Sequence, residues 1–454
     1  MTHMNRIVYP LLKLAIPLSI TGLLQSSVFF LETLFLAHLN SKALAAGALV
    51  GWLFGTITYF LNGALSAINI LVAHEHGAKN DHAISLIVRD GLWLSVLLAI
   101  PAMLLFWNMS SLFLLMGQDK ATVFLAEPYL HSLTWGILPT FMMFALLEFL
   151  IGLGHVRIIL IFSLLCVVLN VFLSFALIFG KFGMPKLGIS GAGWGETISS
   201  VITVVILLTY LFTHRVYQHY FYFLFKATKK HHFFDLLRIG VPTGIMYSIE
   251  VTFFLALTAI MGTFSSLAMA ANQIALQYME TLMQVIFSIA QGTTVRIGHL
   301  LGAGEKVLAE KTGYVGILIS VLFMFVVGLC YWIFPTSLIS IDFDVHSVKN
   351  REITHLAVQF LSICAIFQMF EATRIALFGA LRGLKDTRFT LLISFLSFWG
   401  IALPLGYAMA SRLHMDGAGL WWGMVISSIV SVPLLVWRYR FKMSEYSASS
   451  YSVL

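Results

Sequence analysis

The chain has 454 residues, of which 59% are hydrophobic and 10% charged, with a formal net charge of +7. A water-soluble domain of ordinary composition carries roughly 25% charged residues, so a solvated surface could not be covered. A soluble enzyme or nucleic-acid binder is excluded. What is left is a polytopic membrane protein, in which excess Lys and Arg reports orientation and the anionic inner leaflet rather than an anionic partner.

A spanning helix needs about 20 mostly apolar residues. In chain order the sequence offers twelve, at roughly 12–36, 44–73, 88–108, 124–150, 157–180, 189–213, 236–262, 268–297, 312–338, 354–380, 389–411 and 417–438. The polar start, Met1 to Lys13, runs straight into the first without a small-residue cleavage site, so that segment reads as a retained span. Pro17, Pro139, Pro242 and Pro404 are expected bending points. Cys166, Cys330 and Cys364 lie in apolar stretches, odd in number and widely spaced. They fit neither a disulfide framework nor a metal pattern and read as packing residues.

The connections on the side of the two termini hold 19 Lys and Arg, and those on the opposite side hold 7; Arg374 lies inside the tenth span. Basic connections mark the cytoplasm, so both termini are expected inside a bacterial-type inner membrane. The 214–238 connection carries Arg215, Lys226, Lys229, Lys230 and Arg238. Residues 214–235 are therefore read as a linker between two six-helix lobes, 1–213 and 236–454.

The lobes repeat in sequence. Leu11 to Pro17 (LLKLAIP) recurs as Leu236 to Pro242 (LLRIGVP), an offset of 225. At the same offset Ala45-Ala46 falls on Ala270-Ala271, and His74, Gly77 and Ala78 fall on His299, Gly302 and Ala303. Gly191 and Gly193 echo Gly417 and Gly419 one residue later. Six is an even number of crossings, so the halves are parallel repeats related by an axis along the membrane normal. The fold class is thus all-α, with twelve transmembrane helices in two pseudo-symmetric bundles.

Acids inside spans are costly. A charged side chain at mid-helix costs roughly 2.5–3.5 kcal/mol on insertion scales. Glu32 lies toward the outer end of span one, Glu250 and Glu280 near the middle of spans seven and eight, and Glu371 within span ten. Facing lipid they would cost on the order of 10 kcal/mol together, more than a marginally stable fold could absorb. Each must face a cavity or a partner. A buried acid that takes up a proton and releases it to water or a cation suits a coupling site. The alternative is structural: an acid that locks two helices, or, for Glu371, neutralisation by Arg374 at i+3.

Gln273, Gln277, Glu280 and Gln284 are spaced 4, 3 and 4, one helical face that either lines a pathway or bonds a neighbouring helix. Asn170 and Ser174 at i, i+4 on span five, with Glu196 and Thr197 opening span six, are weak signals by themselves. Glu148 is expected at an interface; Glu75, Asp81 and Asp90 are expected in loops. His74, His76, His231 and His232 are expected at the cytoplasmic surface, and His74-Glu75-His76 has poor spacing for a metal. No phosphate-cradling Gly-rich loop, G-x-S-x-G or H-E-x-x-H occurs. Neither an enzyme nor a cofactor is expected.

Several segments together are similar to one family. LAIPLSITGLLQSSVFFLETLFLAHL in span one, GVPTGIMYSIEVTFF in span seven, AANQIALQ in span eight, VRIGHLLGAG after it, and FEATRIALFGALRGLKD in span ten resemble the multidrug and toxic compound extrusion (MATE) family, in its NorM-like branch. The resemblance runs over nearly the whole chain. It implies two lobes around a cleft and antiport of amphipathic organic cations against sodium ions or protons. Separately, the chain is expected to be a monomer in the lipid bilayer.

It also implies ion-coupling or substrate-binding roles for Glu250, Glu371 and Glu32, with Asn170, Ser174 and Thr197 as partners of Glu32. The family has Asp where Glu32 and Glu371 stand, and Asn or Asp where Ser174 stands. Gln25, which the repeat sets opposite Glu250, joins Gln277, Glu280 and Gln284 as candidate lining. Sodium is expected at Glu250 and Glu371, if anywhere, and protonation at Glu32. A flippase for lipid-linked substrates, or a non-transporting membrane scaffold, are the competing readings.

Overall fold

The computed structural model describes residues 2–222, 231–341, 343–345 and 347–448. Lys226, Lys229 and Lys230 of the expected linker, and the carboxyl-terminal end of the tail, lie outside the described residues. Helices make up 89% of the structure, with no strand among the described residues. Twelve segments are long enough to span. They are α1 (Thr2–Leu39), α2 (Ser41–Gly77), α3 (Asp81–Leu115), α4 (Lys120–Gly152), α5 (Val156–Phe179), α6 (Ser190–Thr213), α7 (Phe233–Phe264), α8 (Ser266–Gly302), α9 (Lys306–Ile333), α10 (Arg351–Gly383), α11 (Thr387–Arg412) and α12 (Asp416–Ala448).

Eleven of these are apolar enough to cross a membrane by composition; the exception is α8, which carries the Gln and Glu stripe. Most helices outrun the apolar segments that announced them. The third span was expected at 88–108 and the helix covers Asp81–Leu115, because apolar counting stops at the water boundary while backbone hydrogen bonding does not. Its start is fixed by Asn80, whose side chain accepts the Ala83 N–H at 3.3 Å. α9 ends earlier than expected, at Ile333, where Pro335 opens a separate short helix, Pro335–Ile339.

The prolines lie inside helices that continue through them. Pro404 is the exception in kind. It follows a π turn, Leu396–Ala402, in the middle of α11, a wider ladder that accommodates a residue without an N–H.

By packing, the described chain divides into two compact units, each described by itself. The amino-terminal unit is Ile20–Gly244 and the carboxy-terminal unit is Met1–Ser19 with Ile245–Leu454, so the dividing points fall inside α1 and α7. Close approach within each unit rests on small residues, as expected where dispersion rather than water drives helix packing. A Cβ on Gly191 would lie 2.6 Å from Leu177 and Ile178 backbone atoms, and one on Gly195 would lie 2.2 Å from Ser174 Oγ, which holds α6 against α5. In the other unit Gly379 and Gly383 of α10 meet Ala290 and Ile297 of α8. There the core is aromatic and Met-rich: Phe253, Met261, Met279, Met283, Phe360, Phe367, Phe398 and Trp421 pack together.

Candidate functional site

In the amino-terminal unit, α1, α5 and α6 bring two acids together. The Glu32 carboxyl is flanked by Asn170 and Ser174 and lies within electrostatic reach of Glu196. Asn170 Nδ2 donates to Glu196 Oε2. Asn170 and Ser174 sit one turn apart on α5 and are buried. Gly195, lacking a side chain, lets α6 close on Ser174 and so sets the adjacent Glu196 beside Asn170. Tyr129 of α4 lies within reach of both acids. Three buried oxygens of the cluster have no hydrogen-bond partner among the described residues: Glu32 Oε1, Asn170 Oδ1 and Ser174 Oγ.

Thr197 belongs elsewhere. Its Oγ1 donates to the Ser132 carbonyl at 2.7 Å, and Gly136 packs against it, so it ties α6 to α4. The second acid of this cluster is its neighbour Glu196. Sequence reasoning placed Glu196 at the start of span six without assigning it a role; the available signal was its position one residue after the glycine that meets Ser174.

In the carboxy-terminal unit α7, α10, α11 and α12 build a second cluster around Arg374, which is 1% exposed. Its Nη1 donates to Glu250 Oε1 at 3.0 Å and its Nε to Glu371 Oε2 at 2.8 Å, while Nη2 donates to Glu371 Oε1. Ser394 Oγ accepts from Arg374 Nη1 at 3.2 Å and donates to Glu250 Oε1 at 2.6 Å. Ser428 Oγ donates to Glu371 Oε2 at 3.4 Å. The guanidinium carbon lies 4.6 Å from the Phe378 ring centroid and 4.7 Å from that of Phe398. The i+3 pairing read from the sequence is therefore present, and it extends to Glu250. One turn before Glu371, Gln368 is fully buried, with neither amide atom partnered among the described residues.

The remaining candidates stand apart. Gln273, Gln277 and Glu280 are exposed and Gln284 is half-buried, on the face of α8 opposite the core residues Ala275, Met279 and Met283. Their side chains make no hydrogen bond to a neighbouring helix among the described residues. Gln25 is exposed on α1.

Glu148, near the end of α4, is buried and accepts from Asn69 Nδ2, because Gly152 lets that end press onto Val72 and the Asn69 carbonyl. Two expectations are corrected. Glu75 is not in a loop but inside α2. Asp90 is not a loop charge. It lies within α3, buried beside Arg89 at 2.8 Å, and accepts the His232 N–H at 2.6 Å. No group of three or more His, Cys, Asp or Glu able to hold a metal occurs among the described residues.

A family model described as MatE matches residues 17–176 and again 242–408, starting in each half at the offset of the sequence repeat. The "Multidrug resistance protein NorM" of Burkholderia vietnamiensis is 34% identical over 442 residues, 96% of this chain and 94% of that protein. The "Probable multidrug resistance protein NorM" of Pseudomonas aeruginosa is 33% identical over 416 residues, 91% of this chain and 85% of that one. Among solved structures, a multidrug resistance MATE family transporter in an outward-facing conformation superposes with TM-score 0.88 at 19% identity, covering 96% of each chain. A eukaryotic MATE transporter superposes with TM-score 0.84 at 19% identity, over 98% of this chain and 99% of that one. These two likenesses concern the fold.

Proposed function

The chain belongs to the MatE family, and on that premise we propose that it exports amphipathic organic cations in exchange for protons taken up at the Glu32–Glu196 cluster. The observation that carries this reading is the set of unpartnered oxygens there: Glu32 Oε1, Asn170 Oδ1 and Ser174 Oγ. Two ionised acids side by side in a buried site are costly without a compensating cation. A proton relieves that cost and also converts one acceptor into a donor, giving Asn170 Oδ1 the hydrogen-bond donor it lacks. An organic cation supplies the same charge from outside, so proton and drug compete for one negative site. That competition is antiport.

Both termini face the cytoplasm of a bacterial-type inner membrane in this reading, supported by the 19 to 7 basic asymmetry. The protein acts as a monomer, and its two six-helix halves alternate access by rocking, as parallel-repeat transporters do.

Dye efflux from proteoliposomes tests the coupling, with proton and sodium gradients imposed separately. A proton gradient alone should drive ethidium-like dyes. Efflux driven by sodium alone, with no response to the proton gradient, would refute the proposal.

A further inference from the structure

The Glu250–Arg374–Glu371 cluster holds its own counter-cation. We propose that Arg374 is a tethered cation that occupies the carboxylate pair and closes the carboxy-terminal unit to sodium. The residue thereby determines which ion this exporter answers to.

The argument begins with ligands. Of the four carboxylate oxygens of Glu250 and Glu371, three already accept a hydrogen bond from Arg374. Both neighbouring hydroxyls are committed as well, Ser394 Oγ to Glu250 and Ser428 Oγ to Glu371. A hard cation binds through several oxygens converging on one point. Here the oxygens converge on a planar fork, whose geometry matches carboxylates and not a sphere.

Geometry also makes the tether permanent. Guanidinium stays charged at any pH the protein meets, so the cluster cannot be emptied by deprotonation. The centroids of the Phe378 and Phe398 rings lie 4.6 and 4.7 Å from its central carbon, an arrangement that favours the cation through the ring quadrupoles. Arg374 is 1% exposed, so water cannot replace its bonds if it turns away. An ion in solution would have to displace a residue bonded to both acids and Ser394, and would leave that residue's charge buried. The inference deepens the proton-coupled reading by removing the rival ion from the second acid pair, yet it stands on this cluster's geometry alone.

The test uses full-length protein purified in detergent, with no drug and no proton gradient, so its failure is separable from failure of the export reading. Thermal melting is followed while sodium chloride replaces choline chloride at constant ionic strength. Wild type and Arg374→Lys should show no sodium-specific shift. Arg374→Gln should melt lower in choline and regain stability saturably with sodium, and Arg374→Gln combined with Glu371→Gln should lose that response. A saturable sodium shift in wild type that disappears in Glu371→Gln would overturn the proposal. So would a folded Arg374→Gln protein that ignores sodium. If Arg374→Gln does not fold, the wild-type and Glu371→Gln titrations still decide.

Discussion

In the amino-terminal unit two acids, Glu32 and Glu196, share one amide and no ion pair among the described residues; in the carboxy-terminal unit two acids, Glu250 and Glu371, share one guanidinium. One family model matches the chain twice, at 17–176 and 242–408. The first cluster leaves three buried oxygens without partners among the described residues, while the second has most of its carboxylate oxygens bonded and its cation close to two aromatic rings. The difference lies in what each unit leaves open: the first keeps unanswered oxygens, as the proposed proton uptake requires, and the second is completed from within.

The comparison breaks most visibly at Arg374. Replacing it with Met leaves two buried acids unanswered and should cost about 3–5 kcal/mol in denaturant unfolding. Adding Glu250→Gln and Glu371→Gln to Arg374→Met should recover most of that loss. Absence of recovery would mean that Arg374 stabilises by packing on Phe378 and Phe398 rather than by answering the acids.

Neutralisation should act in the opposite sense in the other cluster. Glu32→Gln and Glu196→Gln should each keep the melting temperature of wild type while dye efflux falls at least about tenfold, since the amide keeps the shape and cannot cycle charge. Glu32→Gln should also flatten the pH dependence of dye binding in detergent. Full export by Glu196→Gln would return the site to Glu32 alone.

Gly195→Ala sharpens the comparison by geometry. Its Cβ would fall 2.2 Å from Ser174 Oγ and 2.7 Å from Ser174 N. We expect a loss of about 1–3 kcal/mol from overpacking, with weakened export as Glu196 draws away from Asn170. Gly55→Ala is the control, because nothing lies within 4 Å of its Cβ, and it should be neutral or stabilising by up to about 1 kcal/mol.

The smallest effect is expected outside both clusters. Asp119 caps α4, accepting from Thr122 N at 3.1 Å and Thr122 Oγ1 at 3.2 Å, and these bonds hold its carboxyl below the usual 3.8. A carboxyl lowered on folding contributes stability above its unfolded value and loses it as pH falls through the folded one. Asp119→Asn should therefore flatten a small acid limb below about pH 4 in a melting series and leave export untouched.

Spans, repeat and acids were legible because the bilayer prices each residue: an acid among Leu and Phe is visible without a structure. The i+3 pairing of Glu371 with Arg374 was legible for the same reason, since a helix fixes which residues share a face. Glu250 joining that pair was not, because the bond crosses between α7 and α10. Glu196 was visible as a polar residue, but its partner Asn170 lies 26 positions earlier, and only the packing of α6 on α5 through Gly191 and Gly195 brings the two together. The Gln stripe of α8 had the right period. The environment its face turns to is not a property of the period.

The π turn in α11 gives this protein an unusual route of change over generations. Such a turn carries one residue more than an α-helix needs, so deleting a single codon within Leu396–Ala402 would restore an ordinary helix rather than break the chain. Because the wide turn absorbs that residue locally, the helix beyond would keep nearly its present direction, and only the side chains inside the turn would be re-aimed. Ser394, before the turn, would keep its place beside Glu250, while Phe398, inside it, stands to lose its place against Arg374. The guanidinium would then keep one of its two ring contacts, that with Phe378. The hold on Arg374 therefore stands one small deletion away from a looser one, with no acid altered.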